Sequence, residues 1–187
     1  MNGILDFLKD AEQLKNTLRS SKTSNGRSES TAEHTWRLCL MVLLFESHYS
    51  KIDILKLIKI CIIHDLGEAI SGDIPAVDQI ESVDKGAKER KDLQQLIEPL
   101  PKNLKGEILM LWDEYETAVS EEALLAKAFD KLETILQHVQ GKNDLNFNYE
   151  FNLLYGKEYT DYDEITSELR ALIDKDTRSL VDPVNRI

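Results

Sequence analysis

Cysteine is scarce in this chain, and the two present, Cys39 and Cys61, both fall inside apolar stretches. Two such thiols make neither a disulfide framework nor a zinc motif, and they read as small hydrophobes. Proline and glycine are also few, at 4 and 8 among 187 residues. That suits a compact helical protein better than a sandwich or a disordered chain. Positive charge is in deficit: 23 Lys and Arg against 34 Asp and Glu leave a net charge of −11. A general nucleic-acid or anionic-membrane surface needs a positive field and is not expected. A small phosphate ligand stays compatible, because a cation and a few local Arg or Lys reverse the sign inside a pocket. No apolar run is long enough to span a bilayer, and Met1 to Asp6 lacks a signal-peptide apolar region. A soluble cytoplasmic protein is therefore expected. Internal repeats, low-complexity segments and a convincing strand pair are not evident either.

What the chain does contain is helical periodicity. Apolar residues from Ile4 to Leu18 form a stripe, and the polar stretch from Arg19 to Glu29 reads as a loop. Ser30 and Glu33, three apart, are a capping-box signature for a helix to about Tyr49, with Trp36, Leu40, Leu43 and Leu44 as its expected core stripe. Asp53 caps a helix whose residues from Ile54 to Ile63 are apolar nearly all round, so it should be central. The stretch 78–98 is charge-rich and less periodic, and a helix covering the site is expected there. Further helices should run from Pro101 through Tyr115, from Ser120 to the stop at Gly141, and from Asp161 to about Lys175. A Tyr- and Asn-rich connector occupies about 143–157. The length predicts one domain, and the pattern is all-α.

The chemistry concentrates in Cys61-Ile62-Ile63-His64-Asp65-Leu66-Gly67-Glu68. On a helix, Glu68 shares a face with both His64 and Asp65. Three ionisable groups at the tip of a buried segment demand pairing or a cation, and a metal explains them economically. Such a site needs distant partners. His34 lies in the first turn after the Ser30 cap, and Asp130-Lys131 follows much later. Taken singly, each has an ordinary account: a first-turn histidine, a helix-end ion pair at 64–65, a salt bridge from Asp130 to Lys127 or Lys131. The other histidines, His48 and His138, read as ordinary helix residues.

The order His…His-Asp…Asp, each part on a predicted helix, resembles the HD-domain metal-dependent phosphohydrolases. Glu-Ser-Thr-Ala-Glu-His-Thr-Trp (29–36) and His-Asp-Leu-Gly-Glu…Gly-Asp-Ile-Pro (64–75) are similar to the 5'-deoxynucleotidase branch. The resemblance implies a single HD-type helical bundle over 1–187, with a core at about 30–140 and a helical extension at about 158–176. It implies one divalent metal (Mn, Co, Ni, Fe, Zn or Mg) on His34, His64, Asp65 and Asp130, and imidazole donors favour a transition metal. Glu68 and Asp73 become the catalytic carboxylates. Arg19, fifteen residues before His34, becomes the phosphate-binding arginine, with Arg27 and Lys131 as lesser candidates. The implied activity is release of phosphate from nucleoside 5'-monophosphates, by a homodimer. The branch often has Trp after that arginine; here it is Ser20, so a deoxyribose preference does not carry over. The other readings are a hydrolase of another small phosphate ester and a catalytically silent metal or nucleotide sensor. Cyclic-dinucleotide enzymes carry a Gly-Tyr-Pro signature absent here, and alarmone hydrolases have Asp where Ala69 follows Glu68.

Overall fold

The computed structural model describes residues 1–74 and 85–182. In chain order the elements are α1 (Asn2–Ala11), β1 (Leu18–Lys22), β2 (Ser28–Ser30), α2 (Thr31–Phe45), α3 (Ile54–Ile63), α4 (Glu68–Ser71), α5 (Lys85–Leu96), α6 (Lys102–Thr117), α7 (Glu121–Gln140), α8 (Tyr149–Asn152), α9 (Lys157–Thr160) and α10 (Glu164–Val181). Helix α7 is the axis, packed against α2, α3, α6, α9 and α10. Its Leu125, Phe129, Leu132 and Ile135 are fully buried, as are Leu57 and Ile60 of α3 and Leu38 and Val42 of α2. Each such side chain contributes about 1.5–3 kcal/mol by leaving water. Among the described residues no helix is long and apolar enough to cross a membrane.

The expected caps form. Ser30 and Glu33 make both halves of the capping box on α2, Asp53 accepts from Lys56 N–H, and Ser120 accepts from Ala123 N–H. At the end of α7, a Cβ on Gly141 would meet the Lys22 carbonyl oxygen at 2.1 Å, so β1 lies against a position that admits no side chain. Helix α10 starts at an Asp163 capping box and runs on to Val181, beyond the expected stop near Lys175. Of the helix predicted over 78–98, residues 85–96 are helical; residues 78–84, and Pro75 of the turn before them, lie outside the described residues.

Three expectations are corrected. The stretch read as a loop contains an antiparallel pair, β1 with β2, pairing Leu18 with Ser30 and Lys22 with Ser28 around a register irregularity. Its polar composition hid it: Ser21 and Glu29 are buried against each other, Oγ to Oε2 at 2.8 Å, with no apolar alternation to read. The stripe from Ile4 also stops short. Helix α1 ends at Ala11, a 3-10 turn follows over Glu12–Lys15, and Leu18 is an exposed strand residue.

The third correction is the face that α2 buries. Trp36 is 64% exposed, and Leu40, Leu43 and Leu44 are exposed with it. The run from Leu38 to Phe45 is apolar all round, so periodicity alone does not choose a face. His34 chooses it: the positions four, seven and eight residues on are Leu38, Met41 and Val42, and these are buried with it.

A buried guanidinium fastens the C-terminal part. Arg170 of α10 is 2% exposed and donates to Asp174 (2.7 Å), Asn152 O (2.7 Å), Tyr155 O (2.8 Å) and Thr160 Oγ1 (2.9 Å). Arg170→Met leaves Asp174 buried with, among the described residues, only Arg178 at 3.8 Å as an ion-pair partner, and should lower unfolding stability by about 3–5 kcal/mol. Urea unfolding checks this; a loss below about 1 kcal/mol would contradict it.

Candidate active site

The helix that leads to the His64-Asp65 pair stops just before it. Helix α3 ends at Ile63, and the chain turns through residues 64–67 with short-range bonds, Leu66 N to Ile63 O (3.1 Å) and Glu68 N to Asp65 O (3.0 Å). The turn places His64, Asp65 and Glu68 on one cavity. Gly67 lies at the crossing with α5, where a Cβ would meet the Glu89 carbonyl oxygen at 2.8 Å.

His34, His64 and Asp130, from α2, the α3 end and α7, each offer a ligand atom within 4.8 Å of the others. Nε2 of His34 stands 3.2 Å from Asp130 Oδ1, and Nε2 of His64 stands 3.9 Å from it. Asp65 Oδ2 reaches the two imidazoles at 3.0 Å (His64) and 3.9 Å (His34). Donors at right angles on an ion about 2.1 Å away stand about 3 Å apart, so these separations suit neighbouring ligands.

The outer bonds set the tautomers. His34 Nδ1 bonds Glu133, and His64 Nδ1–H donates to the Cys61 carbonyl at 2.7 Å. Each ring thereby turns its Nε2 to the shared point. Both Nε2 atoms are buried, and among the described residues neither has a hydrogen-bond partner. Two inward imidazole lone pairs beside two carboxylates are a donor set that fits a divalent transition metal. The charges agree. Burial and Arg19 oppose a charged His34, yet Glu133 and Asp130 outweigh them and push it up to about 10. The point demands a positive charge, which a proton or a cation can supply.

Glu68 is buried beside this cluster and accepts from Thr31 Oγ1 at 2.8 Å. Burial, then repulsion from Asp65 and Asp73, pushes its carboxyl up to about 9. Asp73 sits within hydrogen-bond reach of Glu68, and burial raises it too. Gly72 (φ 80°) makes the turn between them in the left-handed region. Arg19 Nη2 donates to Thr134 Oγ1 at 3.0 Å, while Nη1 lies 3.6 Å from Asp65 and Nε 3.6 Å from Glu29. Arg19, Ser20 and Ser21 all line the cavity.

Lys131 lines the cavity and pairs with Asp130 at 2.9 Å. Arg27 does not join the group. It is exposed, ion-paired to Glu33, and lines a separate depression with Trp36. His48 is exposed, whereas His138, expected to be an ordinary helix residue, lines the cavity and bonds Asn152 at 2.9 Å.

Several supports were not anticipated. Tyr115 O–H donates to Asp130 Oδ2 (2.8 Å), Trp112 Nε1–H to His64 O (3.1 Å), and Arg37 Nε to Glu133 Oε1 (2.6 Å). Glu133 had a readable signal, a carboxylate in the apolar stripe between Phe129 and Leu136. Both its neighbours, His34 Nδ1–H and Arg37, are donors. In Glu133→Gln the amide must turn its NH2 group toward one of them. Metal affinity should fall about 10- to 100-fold, measured by calorimetric titration; unchanged affinity would show that Glu133 only fills space.

An HD-domain family model matches residues 11–170. The 5'-deoxynucleotidase HDDC2 of Mus musculus is 34% identical over 137 residues, 72% of this chain and 68% of that protein. The 5'-deoxynucleotidase YBR242W of Saccharomyces cerevisiae is 30% identical over 161 residues, 83% and 67% of the two chains. Among solved structures, a predicted metal-dependent phosphohydrolase from Magnetospirillum magnetotacticum matches with a TM-score of 0.77 at 24% identity, over 95% of this chain and 92% of that one. A conserved hypothetical protein from Pyrococcus furiosus matches with a TM-score of 0.63 at 30% identity, over 93% and 99%. The inward imidazole pair, the acid pair beside it and these likenesses lead to one conclusion: the chain belongs to the HD-domain family, on the branch that holds these 5'-deoxynucleotidases.

Proposed function

We propose that the protein is a metal-dependent phosphomonoesterase that releases phosphate from nucleoside 5'-monophosphates. The observation that carries this is the pair of buried, unpartnered Nε2 atoms aimed at one point between Asp65 and Asp130, with Glu68 alongside. The relatives named 5'-deoxynucleotidase support the substrate class. His34, His64, Asp65 and Asp130 would hold one divalent ion, and their imidazoles favour Mn, Fe, Co or Ni over Mg. When bound, such an ion supplies charge neutralisation on the phosphate and acidifies a water.

The remaining work falls to the chain's own groups. Glu68, as the carboxylate, takes the proton of the water that attacks phosphorus as the P–O5' bond breaks. Asp73, bonded to Glu68, orients that carboxylate, and the proton then passes to the departing 5'-oxygen. Arg19, held by Thr134, offers its guanidinium to the phosphate oxygens, and Lys131 adds a second positive charge. The exposed Trp36, Leu40, Leu43 and Leu44 lie on one face of α2 and support a homodimer, which sedimentation at several concentrations would test. The test of the activity is phosphate release from a panel of nucleoside monophosphates with Mn, Co, Ni, Fe, Zn or Mg added to chelated protein. Ligand-induced thermal shifts without turnover under every metal would overturn the enzyme reading in favour of a sensor.

A further inference from the structure

The cavity holds about 370 Å³, room for a nucleotide-sized ligand. Its two ends differ in chemistry. Helix α7 floors it with Lys127, Asp130, Lys131, Thr134 and His138, a row about 16 Å long at helical rise. At the Lys127 end the walls carry Lys85, Glu89 and Glu116, with the Tyr115 ring 4.0 Å from Lys127 Nζ. Phe147 stands at the His138 end, and Phe151 and Tyr155 follow it toward Lys131, all from the connector before α10. The metal cluster and Arg19 lie between.

These rings have set orientations. Phe147 meets the His138 ring edge-on, with centroids 4.9 Å apart and planes at 67°. Phe151 stacks on Tyr155 at 5.1 Å and 30°, and Lys131 Nζ lies 5.1 Å from the Tyr155 centroid. The backbone beneath them is tied to the bundle, because Arg170 bonds the carbonyls of Asn152 and Tyr155. The polar side chains at this end, His138 and Asn148, are already engaged at one atom each, His138 Nδ1 with Asn152 at 2.9 Å. The side-chain carbonyl of Asn148 already accepts from Phe151 N–H at 3.3 Å.

We propose that Phe147 and Phe151 form the stacking wall for the nucleobase of the substrate, recognising its π face rather than its hydrogen-bonding edge. This rests on the nucleotidase reading and specifies it: purine and pyrimidine monophosphates are accepted alike, and a sugar phosphate without a base binds less well. Base–aromatic stacking is tolerant of sequence because every base has a π face.

The experiment compares kcat/KM for purine and pyrimidine nucleoside 5'-monophosphates with that for ribose 5-phosphate and 2-deoxyribose 5-phosphate. It uses metal-loaded wild type and the double variant Phe147→Ala/Phe151→Ala. The nucleotides should lose about tenfold, mainly through KM, while the sugar phosphates stay within about twofold. Phe147→Leu/Phe151→Leu, which keeps the apolar volume, guards against a folding defect and should show the same selective loss. Equal losses on both substrate classes, or no loss on nucleotides, would overturn the stacking wall and leave the phosphatase reading standing. Absence of turnover by wild type on every substrate would overturn both.

Discussion

Glu68→Gln should lower kcat for phosphate release by about 10²- to 10⁴-fold, with metal stoichiometry unchanged and the melting temperature near wild type. The amide keeps the shape of the side chain and still accepts from Thr31 Oγ1, which bonds Glu68 Oε2 at 2.8 Å. It cannot take a proton. Burial and the neighbouring Asp65 and Asp73 push the carboxyl up to about 9, so the cation-free site holds it protonated at neutral pH, and the base role belongs to the carboxylate form that a bound cation would favour. The neutral amide replaces a carboxyl that is itself protonated in the cation-free site, which argues against a loss of folding. If Glu68 were merely a buried end of α4, the variant would keep full turnover. Steady-state kinetics at saturating metal separates the two outcomes.

His64→Ala should abolish stoichiometric metal binding and cut turnover by more than about 10³-fold. An imidazole is one of the four donors, and loss of a supporting bond to a metal ligand alone already costs about 10- to 100-fold in affinity. Thermal shifts give an activity-free readout. A metal that binds the native state stabilises it by about 2.7 kcal/mol at a hundred times its Kd, so wild type should melt higher with Mn or Co and the variant should not. The variant itself loses some stability, because His64 is buried and its Nδ1–H bonds the last turn of α3. Circular dichroism identifies a folded population for comparison. A folded His64→Ala protein that still bound one equivalent of metal tightly would remove the basis for the site.

The hairpin, the α2 face and the aromatic wall show where local pattern stops. β1 and β2 carry no apolar alternation because their inward groups, Ser21 and Glu29, are polar and pair with each other. On α2 the apolar run offers several equivalent faces, and the choice falls to a contact with Glu133 nearly a hundred residues away. The connector at 143–157 showed only an unusual content of Tyr and Asn. Its rings stand beside Lys131 and His138 through contacts with α7, and Arg170 of α10 holds the backbone at Asn152 and Tyr155.

By itself the sequence determined the helices, their caps and the residue types of the centre, because periodicity, capping and side-chain chemistry act over a few residues at a time. The His34, His64-Asp65 and Asp130 order was legible for the same reason: ligand chemistry is a property of the residue. Only the tertiary structure decided that the chain leaves the helix at His64, that both Nε2 atoms face inward, and which groups support them. Those outcomes depend on packing between α2, the α3 end and α7, and on bonds such as His34 to Glu133 and Tyr115 to Asp130. Orientation around a shared point is a property of several elements at once, and no local pattern along one of them encodes it.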